Sequence, residues 1–84
     1  MKQYVLDCRR MTDKAEAHAH IKSVLGFPEH YGANLDALHD CLGELGECTV
    51  RFEAPWCLAE LGDYALKLLA VFRAAAEEGS IHIA

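Results

Sequence analysis

Hydrophobic positions along the chain change period several times, and each change marks an element. Residues 3–8, Gln-Tyr-Val-Leu-Asp-Cys, are rich in strand formers and are closed by Arg9-Arg10, which predicts a short strand. Beyond it Ala17, Ile21, Val24 and Leu25 repeat at helical spacing. Asp13 with Glu16 forms an N-cap pair for that helix, and Gly26 followed by Pro28 stops it. Residues 26–33 hold two glycines and a proline and read as a connection. Asn34 then suits the N-cap of a second helix over about 35–45. Residues 48–53, Cys-Thr-Val-Arg-Phe-Glu, alternate as a strand does, and Pro55 breaks the alternation. A helical turn is expected over 56–61. A longer helix runs from Gly62-Asp63 to about Glu78, with Ala65, Leu68, Leu69, Phe72, Ala75 and Ala76 inside and Gly79 as its cap. Residues 80–84 alternate as a final strand.

The resulting order is β-α-α-β-α-β. Strands separated by helical connections pair in parallel through right-handed crossovers. The expected fold is therefore α/β: a small three-stranded parallel sheet with helices packed on it. At 84 residues the chain has room for one core, so 1–84 reads as a single domain. Thirteen alanines thin that core and favour helix over sheet.

Charge narrows the function. Residues 29–63 carry eight acids and one base, Arg51, for a net −7, while the rest of the chain nets +2. An acidic middle repels nucleic acid and anionic membrane and attracts basic proteins. Neither nucleic acid nor membrane is expected as a partner. The longest apolar run, Leu68 to Phe72, is far too short to span a bilayer, and Asp7 directly follows Val5-Leu6, so no signal-peptide core is visible. A cytoplasmic location follows as the expectation, with Cys8, Cys41, Cys48 and Cys57 as reduced packing thiols.

The second helix concentrates the charge. At about 100° per residue, Leu35, Leu38, Leu42 and Leu45 share one stripe, and Asp36, Asp40 and Glu44 share the opposite one. His39 and Gly43 flank the acidic column. Like charges at i, i+4 cost a few tenths of a kcal/mol per pair, and no Lys or Arg lies within one turn to offset them. A solvated face is the plain explanation; a docking face is the other.

The segment Leu25-Gly-Phe-Pro-Glu-His-Tyr-Gly-Ala-Asn-Leu-Asp-Ala-Leu-His-Asp-Cys-Leu42 strongly resembles the barstar family of ribonuclease inhibitors. The resemblance is strong over 25–42 and looser across the remainder. It implies the same three-stranded parallel fold. It implies, too, a protein that is not an enzyme and needs no cofactor, a monomer when free. Its loop and helix, residues 28–44, would plug the RNA-binding cleft of a basic secreted ribonuclease or ribonuclease toxin domain. Matched residue by residue, Asp40 is the central anion and Asp36 the second. His30 and His39 stand where the namesake has aromatic residues, and Gly43 where it has a small polar one. Tyr31, Asn34 and Glu44 complete the expected partner-binding set. The acid that the family's last long helix contributes is Ala74 here, with Glu77 and Glu78 one turn on.

The residues admit two other readings. One keeps the fold but gives it a basic partner that is not a ribonuclease. The other is a small metal-binding protein using Asp36, His39 and Asp40, which lacks a ligand from a second element. A Cys-His nucleophile has no low-pKa setting in the sequence. Trp56 and Tyr64 read as core or rim packing residues, and Tyr31 suits either partner contact or a buried ring with its hydroxyl satisfied.

Overall fold

The computed structural model describes residues 2–79 and 81–84. Its elements are β1 (Lys2–Asp7), α1 (Lys14–Leu25), α2 (Leu35–Glu44), β2 (Cys48–Glu53), α3 (Asp63–Glu77) and β3 (Ile81–Ile83), with 3-10 segments at Cys8–Arg10 and Pro55–Leu61. The three strands form one parallel sheet with β2 in the centre. The predicted architecture and element order hold. Lys2 pairs with Cys48 and Asp7 with Glu53 along one side of β2, and Cys48 to Val50 pair with β3 along the other. Parallel neighbours cannot be joined by a tight turn, so the first crossover carries α1 and α2 and the second carries Pro55–Leu61 and α3.

One face of the sheet is buried and the other is exposed. Leu6, Cys48, Val50 and Ile81 point inward against Ile21 of α1, Leu38 and Leu42 of α2, and Leu68 and Phe72 of α3. Phe52 meets Phe72 edge to face, with centroids 5.1 Å apart. Gln3, Val5, Arg51, Glu53 and His82 occupy the other face and remain exposed. Parallel strands covered on both faces read as continuous apolar runs; the bare face here is why these strands alternate. No helix among the described residues is long and apolar enough to cross a membrane.

Local chemistry sets the ends. Asp13 accepts from the Glu16 amide at 2.8 Å, and Gly26, at φ 72°, closes α1 in the left-handed conformation. The strand expected over 3–8 stops one residue early. Asp7 accepts from the Arg9 amide, which draws Cys8–Arg10 into a 3-10 turn. The helix expected to reach Leu45 ends at Glu44, with Leu45 as its cap. Of the expected last strand, Ile81–Ile83 is observed, and Ser80 lies outside the described residues. Trp56 departs from its reading as a packing residue and is 76% exposed. A 3-10 helix repeats every three residues, so Leu58 and Leu61 take the inward line and Trp56 falls off it.

Candidate partner-binding face

The candidate site is built on α2 and the connection before it. Asn34 holds the start of α2: its Oδ1 accepts from the Ala37 amide at 2.8 Å, and its Nδ2 donates to the Gly32 carbonyl at 3.3 Å. Gly32 is packed closely here. A Cβ at that position would sit 3.1 Å from Asn34 Nδ2 and 3.3 Å from Ala37 Cβ. Ala33, between them, adopts φ 53°. That left-handed conformation costs a residue with a Cβ about 1–2 kcal/mol. The chain thus turns sharply into the helix at a strained residue beside a filled cap.

α2 packs on α3 through Leu38 and Leu42, both fully buried. That fixes its outer face. Asp36, Asp40 and Glu44 are all exposed, and among the described residues none has an ion-pair partner within 4 Å. Other acids are partnered: Asp7 with Arg9 at 2.8 Å, Glu29 with Lys22 at 3.7 Å, Glu53 with Arg51 at 3.7 Å. Gly43 faces open space. His30 is exposed in the connection.

His39 does not turn to its neighbours on α2. Its Nε2 lies 3.1 Å from Glu78 Oε2, at the C-terminal end of α3. Glu78 thereby joins the rim of the acidic face. In the sequence Glu78 lies one turn beyond the position expected for an acid, outside the predicted set. The signal was present in its spacing after Ala74, but the partner became visible only when α2 and α3 were packed. Asp36, His39 and Asp40 are not gathered as ligands, and no group of three or more His, Cys, Asp or Glu among the described residues is placed to hold a metal ion.

Tyr31 follows the second of its two readings, a ring packed inward with its hydroxyl satisfied. Its ring is half-buried against Phe27, centroids 5.0 Å apart, and its hydroxyl lies 2.6 Å from His18 Nδ1. The second nitrogen of His18, Nε2, lies 2.7 Å from the Tyr64 hydroxyl. His18 itself is only 2% exposed. Burial lowers its pKa from the ordinary histidine value and raises those of Tyr31 and Tyr64.

Cys8, Cys41 and Cys48 sit in settings unsuited to nucleophilic chemistry. All four cysteines are free. Burial pushes Cys8 up to about 11 and raises Cys41 and Cys48. A thiol held protonated is a poor nucleophile.

Residues 1–81 match the family model described as Barstar (barnase inhibitor). The chain belongs to the barstar family. It is 36% identical over 81 residues to the Bacillus subtilis (strain 168) protein named "Putative ribonuclease inhibitor YrdF", covering 93% of this chain and 89% of that one.

Proposed function

We propose that the chain is an inhibitor of a small, basic, secreted ribonuclease. It acts by seating residues 28–44 in the enzyme's RNA-binding cleft. The observation that carries this reading is the exposed, unpaired column of Asp36, Asp40 and Glu44 on a capped helix. A cleft that binds RNA presents Arg, Lys and His at phosphate spacing. A fixed row of carboxylates satisfies those groups and shuts out substrate without any chemistry of its own. Family membership supports an inhibitor rather than an enzyme. His30, Tyr31, Asn34, His39 and Gly43 would frame the contact, with Glu78 at its edge. The inhibitor would act in the cytoplasm, as a single-domain monomer, on an enzyme bound for export or entering from a neighbour.

The test is titration of purified barnase, as a representative basic ribonuclease, with this protein while RNA cleavage is followed. Stoichiometric loss of activity is the expected result. Unchanged cleavage at excess protein, repeated with a panel of secreted basic ribonucleases, would turn the reading toward a basic partner of another kind.

A further inference from the structure

Two of the four cysteines stand where β1 and β2 end side by side. Asp7 of β1 is paired with Glu53 of β2 at the last position of their register. Cys8 is the next residue after Asp7, and Ala54 is the next after Glu53. Neighbouring strands run about 5 Å apart, so the two chains leave the sheet as neighbours. Ala54 then turns at φ 54°, and the Cys57 amide donates to the Ala54 carbonyl at 2.9 Å, which keeps Cys57 within one turn of the strand end. The segments Cys8–Arg10 and Pro55–Leu61 pack on one another. Cys8 is fully buried in the core, and Cys57, half-buried, packs against that same core.

We propose that Cys8 and Cys57 are a redox pair, which a low-molecular-weight disulfide converts to an intramolecular disulfide tying the end of β1 to the segment that leads into α3. The pair lies off α2, and its chemistry is independent of the ribonuclease reading.

Neither of the other thiols lies at this corner. Cys48 is paired with Lys2, at the opposite end of β1. The length of that strand, 6 residues at about 3.3 Å each, puts roughly 20 Å between Cys48 and Cys8. A disulfide needs Cα atoms within about 7 Å. Cys41, on α2, sits beside Phe27 and Leu45.

The exchange runs in two steps. Cys57 is the accessible thiol and meets the oxidant first. Its thiolate attacks one sulfur of the small disulfide, whose S–S bond breaks, and one small thiol leaves and takes up a proton. Cys8, once deprotonated, attacks Sγ of Cys57 and expels the second small thiol. Two protein thiols are oxidised, and one small disulfide is reduced to two thiols. The second step needs the Cys8 thiolate. Burial, the Asp7 carboxylate and Cys57 together push the Cys8 thiol up to about 11. The neighbouring cations give it little help. Arg9 is held by Asp7 at 2.8 Å and Arg51 by Glu53 at 3.7 Å, while Arg10 acts on Asp7 and on His20 of α1. Closure is therefore the slow step, and its rate rises with pH. Holding both sulfurs in one folded corner offsets the low thiolate fraction.

The experiment incubates the reduced, native, full-length protein with excess oxidised glutathione at pH 8. Free thiols are then alkylated, and intact mass and peptide mapping locate the sulfur bonds. A Cys8–Cys57 bridge is the expected product. It should raise the melting temperature by at least about 5 °C, because it closes a loop over more than half of the chain. Between pH 7 and 9 the closing rate should rise by up to about tenfold per pH unit, following the Cys8 thiolate. Cys8→Ala should stop at a glutathione adduct on Cys57. Cys57→Ser should give neither the bridge nor an adduct on Cys8. Cys41→Ser with Cys48→Ser should close as wild type does. Absence of the Cys8–Cys57 bridge at excess oxidant overturns the proposal. So does a main bridge through Cys41 or Cys48, or a bridge that forms only in urea. A bridge that lowers the melting temperature overturns it as well, since the two sulfurs would then meet only by distorting the fold. If Cys8→Ala does not fold, wild-type mapping and Cys57→Ser, at the half-buried position, decide alone.

Discussion

Asp40 lies one turn from Asp36 and one turn from Glu44, so a partner that engages the column must cover it most fully. Removing a carboxylate at the centre of such a contact strands the cation it faced. The cost is roughly 2–5 kcal/mol or more, a range that includes charge pairs of the family's namesake complex. Asp40→Ala should therefore weaken inhibition of the cognate ribonuclease by at least about 30-fold. It should not lower the melting temperature and should raise it by a few degrees, because the exposed side chain gives way to a better helix former and two like-charge pairs are relieved. Inhibition constants and a thermal melt on one preparation check both halves. Histidines give the second residue-scale prediction. Burial lowers the pKa of His18, and burial, Arg10 and, in opposition, Asp7 set that of His20 below the ordinary value. His20 Nε2 accepts from the Asp7 amide at 3.0 Å, which requires a bare nitrogen. The unfolded chain takes up protons near pH 6.5 and the folded chain resists until lower pH. Stability is thus full above about 6.5 and falls as pH drops toward the folded values. Urea midpoints should decline from pH 7 to 5, and His20→Gln should make that decline shallower.

Within α2, stability and function are set by different residues and can be separated. Asn34→Ala removes the bond to the Ala37 amide and should cost about 1 kcal/mol. Gly43→Ala should do the reverse. A Cβ there meets nothing within 4 Å, and alanine favours a helix over glycine by about 0.5–1 kcal/mol. Denaturant midpoints should move in opposite directions for the two variants. If Gly43 faces the partner, Gly43→Ala should also inhibit less well while being more stable. Legibility in the sequence followed the same division. The caps at Asp13 and Asn34, and the leucine and carboxylate stripes of α2, are consequences of helical spacing and neighbouring residues, so they could be read directly. Two features depended on packing between distant segments, and a third on a local helical period. Glu78 reaches His39 only because α2 lies on α3. His18 sits in a run with little amphipathic contrast, Lys14-Ala-Glu-Ala-His-Ala-His20, where nothing local marks it as the buried one. Residue type alone points Trp56 to packing, but the three-residue period of its 3-10 helix turns it outward.

Charge acts over the whole molecule, before any contact forms. The segment from 29 to 63 nets −7 and includes the α2 column, whereas the rest of the chain nets +2. The α2 column gathers three of those acids on one exposed helix face, which orients the protein toward a basic partner. Steering of this kind raises the association rate and reaches only as far as salt permits, about 8 Å at physiological ionic strength and about 3 Å at 1 M. The association rate with a basic ribonuclease should therefore fall at least about tenfold between 0.05 and 1 M salt, while the dissociation rate changes far less. Both rates can be read from one set of stopped-flow or surface-binding traces. The double change Asp36→Asn with Asp40→Asn should flatten the salt dependence. Glu60→Gln with Asp63→Asn, both exposed and off α2, removes the same two units of net charge and should flatten it less. If this second pair flattened it as much as the first, steering would reflect net charge alone. The α2 column would then contribute after contact, through the dissociation rate. A salt-independent association rate would point to an apolar docking surface on another part of the molecule.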